Sequence, residues 1–477
     1  MQKRKTNMTG QKGSGRIYTP DFIVGNILDL CSYSGRHILK KHVIDNSCGD
    51  GAFLCEIVRR YCEAACSEQK TVREMTQDLE KYVHGIEIDA AELEKCRCRL
   101  SAAARAFGAE HVNWNLVCAD ALHTHDFDGQ MDFVLGNPPY VRVHNLGGAF
   151  DDVKRFRFAQ SGMTDFYIAF YEIGIRMLSP HGTLGYITPS SFYNSLAGST
   201  MRKVLAEENL LDQIVDLKHF QAFSSTTYTT IAVLKKHRDS RTTDYYGYDE
   251  KKHKPYYIDT LTPDDYYIQG HYYFAKKDDL SLLHQIICHT GTSDITVKNG
   301  YATLCDKAFV HDFDFDSPLI IPVVKSSKGI TQKIFFPYDQ AGKLLPETVI
   351  QQDERLYRYL LDHKAELTDR SSEKDSSLYW YAFGRSQAIG DTFRNKLAIN
   401  TVLRDERDLK FTAAPAGVGV YGGLYIVSDS VPVSQIEDAL RTSEFAAYIA
   451  LLGKYKSGGY YTFSSKDLKK YLDYQFQ

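Results

Sequence analysis

The residues best suited to chemistry are Asn137-Pro138-Pro139-Tyr140, which close an apolar run, Asp132-Phe133-Val134-Leu135-Gly136. Proline cannot donate to a strand ladder, so two in succession turn the chain out of a sheet at this point. Asn137 brings a side-chain carbonyl, Pro138 a backbone carbonyl of restricted geometry, and Tyr140 a planar ring. Two acceptors gripping the N–H groups of a conjugated amine would aim its lone pair at an electrophilic carbon. They would also favour the pyramidal form that develops during attack. Tyr140 can stack on the ring that carries the amine. No strong base is needed beforehand, because such an amine turns acidic only after it has been alkylated.

Three carboxylates end three other short apolar runs: Asp45 after Val43-Ile44, Glu87 after Gly85-Ile86, and Asp120 after Leu116-Val117-Cys118-Ala119. Any one alone would read as a cap or turn residue. At three consecutive strand ends they point to one ligand site at the mouth of a parallel sheet. Asp45 suits a cationic or hydroxyl-rich ligand, Glu87 suits ribose hydroxyls, and Asp120 can accept from an adenine amine. Gly49 and Gly51 in Asp45-Asn46-Ser47-Cys48-Gly49-Asp50-Gly51 let the backbone turn tightly and approach that ligand. No third glycine and no Gly-Lys-Ser/Thr ending follow, so a pyrophosphate is not expected. Glu87 lies farther from the glycines than the ~20 residues usual for a ribose-binding acid. Residues 62–80 read as an inserted helical stretch.

These residues need a scaffold of alternating strands and helices. Apolar runs at 42–45, 82–89, 115–120, 131–137, 182–188, 214–217 and 230–234 read as strands. Helical stretches run from the glycine turn through Tyr61, near 90–107 and near 165–178. This alternation predicts an α/β fold with a mostly parallel sheet covered on both faces. Residues 1–16 carry Lys3, Arg4, Lys5, Lys12 and Arg16 without an acid and read as a basic flexible tail. Residues 17–240 form the expected catalytic domain, and the polar stretch 237–256 reads as a linker. Residues 241–477 are expected to form an α+β domain, with strands near 319–324, 333–336, 396–399 and 423–427 and helices near 355–366 and 434–452.

Bulk composition sets limits. The 477 residues allow two or three domains, with an ordinary 43% hydrophobic and 25% charged content. Net charge is only −3 and neither half is strongly basic, which argues against a general polyanion binder but leaves local basic patches possible. Aromatic content of 13%, with 33 Tyr and 25 Phe, fits aromatic cores or base-stacking surfaces. Eight of the ten cysteines precede residue 120 with no secretory apolar stretch before them, so free thiols in a reducing cytoplasm are expected. Cys62-x3-Cys66 and Cys96-x-Cys98 lack paired zinc-knuckle spacing, and no metal site is expected. No run approaches the ~20 apolar residues that cross a bilayer, so no membrane association is expected.

In this order the segments resemble the gamma-class N6-adenine DNA methyltransferases of restriction–modification systems, the Taq-type methylases. Gly15-Arg16-Ile17-Tyr18-Thr19-Pro20 is similar to the motif whose threonine touches the methionine part of the cofactor. Asp45 to Gly51 is similar to the first cofactor motif, with Asn46 where the family often has proline. Glu87 and Asp120 match the ribose- and adenine-contacting acids, and Asn137 to Tyr140 the catalytic motif. Thr164-Asp165-Phe166-Tyr167 and Gly182 to Pro189 match the next two. Phe223 stands where the family places a second aromatic that stacks on the target base, with Phe220 close enough to compete for the role. The resemblance is strong over 15–236 and weaker over 300–477, where 300–304 and 458–463 are similar to pieces of a specificity domain.

The resemblance implies a Rossmann-like class I methyltransferase domain that uses S-adenosylmethionine, followed by a target-recognition domain. The implied cofactor-binding residues are Thr19, Asp45, Gly49, Gly51, Glu87, Asp120 and Asn137. The implied reaction is methylation of N6 of an adenine flipped out of double-stranded DNA, at a cost of a few kcal/mol that stacking on Tyr140 and Phe223 would offset. A cytoplasmic monomer working beside a separate restriction endonuclease is the expected setting. Arg142, His144, Lys154, Arg155 and Arg157 follow the catalytic loop and are candidates for phosphate contact; 404–410 and 454–463 are candidates for groove reading. Two other readings compete. Glutamine-N5 protein methyltransferases also use an Asn-Pro-Pro-Tyr loop, but they carry a small helical domain before the cofactor fold, whereas here a long segment follows it. A catalytically dead DNA-recognition subunit is the third reading, against which the intact Asn137, Gly49 and Gly51 argue.

Overall fold

The structure is a computed structural model that describes residues 18–141, 149–223, 227–370, 379–385 and 387–477. The basic stretch 1–16, Arg142 and His144 lie outside the described residues. The chain divides into two compact units, Met1–Ser281 and Leu282–Gln477.

The first unit is built on strands β1 (Val43–Asp45), β2 (Val83–Glu87), β3 (Asn115–Cys118), β4 (Met131–Gly136), β5 (Leu178–Pro189), β6 (Leu211–Asp216), β7 (Thr229–Lys235), β8 (Thr243–Asp249) and β9 (Lys254–Leu261). They form one sheet in the order β3-β2-β1-β4-β5-β7-β6-β8-β9. Strands β1 to β5 pair in parallel, β7 runs against β5 and β6, and β8 is parallel to β6. The chain starts in the middle at β1, moves outward to β3, and crosses back to β4. The switch between β1 and β4 leaves a crevice at the carboxyl ends of the strands, where ligands of such sheets bind.

Helices of this unit include α1 (Asp21–Leu30), α2 (Ala52–Ser67), α3 (Val72–Tyr82), α4 (Ala90–Arg105), α5 (Ala149–Lys154), α6 (Phe166–Met177) and α7 (Ser199–Glu207). Helix α1 buries Ile23, Val24, Ile27 and Leu28, an apolar stripe at helical spacing. Helix α3 is the inserted stretch, and it starts on a reciprocal cap between Thr71 and Glu74. Asp89 caps α4 by accepting from the Ala91 and Glu92 N–H groups.

The expected linker is instead part of the sheet. Strand β8 pairs with β6 and forms a hairpin with β9, so the compact unit runs on to Ser281 rather than ending at 240. Thr243-Asp244-Tyr245-Tyr246-Gly247-Tyr248 alternates buried and half-buried positions. A strand with only one face packed reads as polar, and the charged run 249–254 is its hairpin tip.

The second unit is α+β, as expected. A four-stranded antiparallel sheet carries Thr296–Asn299, Leu424–Val427, Lys396–Ile399 and Phe411–Ala414. A three-stranded sheet carries Ile330–Phe335, Ile320–Lys325 and Gly419–Tyr421. The helical stretch expected at 434–452 breaks into Val433–Leu440 and Ser443–Leu451, because Thr442 caps a new helix by accepting from Phe445 N–H. Tyr301, Phe309, Phe336, Trp380 and Phe383 fill one core here, so core packing accounts for much of the aromatic content in this half.

Candidate active site

The turn after β1 is organised by the carboxylates around it. Ser47 N–H donates to Asp45 Oδ1 at 3.1 Å, and Gly49 N–H donates to Glu87 Oε2 at 2.9 Å. Glu87 also accepts from Asp89 N–H at 3.0 Å, so this one acid joins the first two strand ends. Asp120 accepts from Leu122 N–H at 2.9 Å. Gly49 has φ +51° and open space where a Cβ would stand. Gly51 has φ +91°, and a Cβ there would lie 2.8 Å from Cys96 Sγ on α4. Gly49 thus serves the ligand side of the turn, while Gly51 serves helix packing. A Cβ on Gly136 would lie 2.7 Å from Asp45 Oδ1, so the glycine before Asn137 makes room for the first carboxylate.

Asp45 is 2% exposed. Burial pushes its pKa up to about 8; the hydrogen bond from Ser47 N–H works against this and the charge of Glu87 adds to it. Asn46 is also buried. It accepts from the Tyr186 hydroxyl at 2.9 Å, which satisfies its side chain in the core.

After β4, Asn137 Nδ2 donates to Thr19 Oγ1 at 3.0 Å, so the amide is held by its NH2 end. The Tyr140 hydroxyl donates to Ile187 O at 3.0 Å, and burial holds this phenol well above its ordinary pKa. Phe166 N–H donates to Val141 O at 2.9 Å and ties the start of α6 to the same loop. The Tyr140 ring meets Phe223 edge-on at 6.0 Å and 78°, and Tyr167 at 6.4 Å and 75°. Phe220 packs elsewhere, on Tyr248 at 4.9 Å, His253 at 5.9 Å and Phe22 at 6.3 Å.

One cavity of about 440 Å³ collects most of the expected residues: Thr19, Asp45, Gly49, Glu87, Asp120, Asn137 and Pro139 all line it. Gly51, Pro138, Tyr140 and Phe223 do not line it. The lining also includes Tyr18, Ile88, Phe166 and Phe170, which the reading of single residues had not assigned to the site. Ile88 is 69% exposed, unusual for isoleucine. In the sequence it looks like one more strand residue; only its place after the strand-end Glu87 hints otherwise. Among the described residues no group of three or more His, Cys, Asp or Glu side chains could hold a metal ion, and no helix is long and apolar enough to cross a membrane. All ten cysteines are free thiols.

Residues 57–223 match the Eco57I restriction-modification methylase family. The chain is 24% identical over 509 residues to the type II methyltransferase M.PaeR7I of Pseudomonas aeruginosa, covering 97% of this chain and 86% of that relative. It is 23% identical over 417 residues to the type II methyltransferase M.BstVI of Geobacillus stearothermophilus, covering 77% and 73%. Among solved structures, the type IIL restriction-modification enzyme MmeI in complex with DNA has the same fold, with a TM-score of 0.62 at 13% identity. That match covers 93% of this chain and 63% of that one, less than two thirds of its length. The resemblance read from the sequence is borne out, and so is the fold class.

Proposed function

We propose that this relative of the Eco57I-type restriction-modification methylases transfers a methyl group from S-adenosylmethionine to N6 of an adenine flipped out of double-stranded DNA. In this reading it is a monomeric modification component that works beside a separate restriction endonuclease. The observation that carries the proposal is the single cavity in which three strand-end carboxylates and the glycine turn meet Asn137 and Pro139.

The cavity suits the cofactor. Its volume falls in the range of small-molecule sites, and the open space at Gly49 lets backbone approach a ligand. Carboxylates favour hydroxyl, amine and ammonium groups and disfavour a pyrophosphate. Glu87 would hold the ribose, Asp120 the adenine amine, and Asp45 with Thr19 the cationic amino-acid end, the cation favouring the ionised form of an Asp45 that burial otherwise keeps protonated. When bound, S-adenosylmethionine supplies a sulfonium-activated methyl group.

On the substrate side, Asn137 Oδ1 and the Pro138 carbonyl would accept from the target amine and direct its lone pair. Tyr140 stays a neutral phenol and offers a ring face rather than a base. Phe223 is favoured over Phe220 as the second stacking residue because it is Phe223 that meets Tyr140. A base entering between these rings replaces their edge-on contact with two face contacts. Sequence selection is assigned to the second unit.

The test is transfer of labelled methyl from S-adenosylmethionine to duplex DNA by the full chain. The wild type is expected to label adenine; labelling of glutamine in protein and not of DNA would overturn the reading.

A further inference from the structure

The β8–β9 hairpin lies at the catalytic end of the sheet, because β8 runs parallel to β6, and β6 runs in the same direction as β1, β4 and β5. Its tip carries Lys251, Lys252 and Lys254, all exposed. Three contacts of His253 tie this tip to the site. The His253 ring lies on Phe22 at 4.4 Å, and the His253 carbonyl accepts from Asn26 Nδ2 at 2.9 Å; both partners are on α1, which begins two residues after Thr19. His253 also meets Phe220 at 5.9 Å, three residues before the Phe223 that touches Tyr140. Lys218, also exposed, stands on that same loop.

The turn is internally braced. Asp249 Oδ1 accepts from the Lys251 and Lys252 N–H groups at 3.0 Å each, and Asp249 also faces the Lys252 ammonium at 3.8 Å. His253 takes φ +52°, an uncommon conformation for a residue with a side chain. Of the two acids at this tip, Asp249 is committed to holding the turn. Among the described residues neither Lys251 nor Lys254 is in an ion pair. A solvated charge run needs no such anchoring against the two segments that bear Thr19 and Phe223.

We propose that this hairpin grips the phosphate backbone of duplex DNA beside the extruded base, with Lys251 and Lys254 as the contacting ammonium groups and His253 as the positioning residue. The proposal rests on the DNA-methylation reading above. Phosphate contacts set register and carry no sequence information, so the hairpin adds affinity equally for all sequences. Each neutralised phosphate contributes about 0.9 to the slope of log affinity against log salt.

The test compares full-length wild type with Lys251→Ala/Lys254→Ala and with Lys251→Arg/Lys254→Arg. Binding to a defined duplex is measured across a salt series, alongside methylation and cofactor binding. The alanine pair is expected to lose about two from the salt slope and to weaken binding several-fold, with the methylated sequence and cofactor affinity unchanged. The arginine pair is expected to restore the slope. Unchanged affinity and slope in the alanine pair, beside an active wild type, overturns the hairpin alone. Altered sequence preference also overturns it, since phosphate contacts cannot do that. Absence of duplex binding by the wild type overturns both this proposal and the reading beneath it.

Discussion

Asn137 is the residue on which the proposed chemistry turns. Asn137→Ala removes its acceptor, and with it the donor to Thr19, while leaving in place the three carboxylates that line the cavity. Methyl transfer is expected to fall at least ~100-fold, the scale of losing one aligned hydrogen-bonding group in a transition state. Calorimetric cofactor binding should persist; a variant that keeps its activity would remove Asn137 from the mechanism. The two phenylalanines separate in the same way. Phe223→Ala is expected to weaken extrusion by ~1–3 kcal/mol, seen as a smaller fluorescence rise from a base analogue at the target. Phe220→Ala should leave that signal intact, and the opposite pattern would reverse the assignment.

Asp45 makes a pH-dependent prediction. Its folded-state pKa of about 8 lies above the ordinary 3.8, so the folded chain holds this proton more tightly than the unfolded chain. The associated stability is full below the ordinary value and is lost as pH rises toward about 8. Asp45→Asn is therefore expected to stabilise the cofactor-free protein by ~1 kcal/mol or more near neutral pH, while weakening cofactor binding. Denaturant titrations at several pH values check this; an asparagine variant less stable than wild type at neutral pH would contradict it.

At the scale of elements, the two glycines after β1 do different work. Gly51→Ala forces a side chain into a left-handed backbone and against Cys96, and is expected to cost ~1–3 kcal/mol of stability. Gly49→Ala should cost less stability yet impair cofactor binding, because its Cβ would occupy open space beside the ligand. Equal stability losses in the two variants would refute this division. Such roles were partly legible. Three acids at the ends of three apolar runs announced the cavity, because strand ends of parallel sheets converge. Phe220 and Phe223 could not be told apart, since both lie on one loop without periodicity. Ile88 hid for the opposite reason: an apolar residue after a strand looks like more strand. Strands β8 and β9 hid because their half-packed faces alternate tyrosine with polar residues around a charged turn.

At the scale of the molecule, strands β8 and β9 extend the first unit past residue 240. The first compact unit ends at Ser281, and Tyr245 on β8 and Leu261 on β9 are completely buried in it. A chain cut after residue 288, at the end of the helix Lys277–Cys288 that crosses the boundary, is expected to fold and bind the cofactor while losing sequence-selective DNA binding. A chain cut after 240 loses two buried side chains worth ~1.5–3 kcal/mol each and uncovers β6, and should be insoluble or unfolded. Sequence-selective binding retained by residues 1–288 would return target recognition to the first unit. The central claim is most directly tested by sequencing modified bases in DNA from cells that express the full chain. N6-methyladenine at one recurring sequence, absent with Asn137→Ala, is the predicted result; methylation of cytosine, or no methylated base at all, would contradict it.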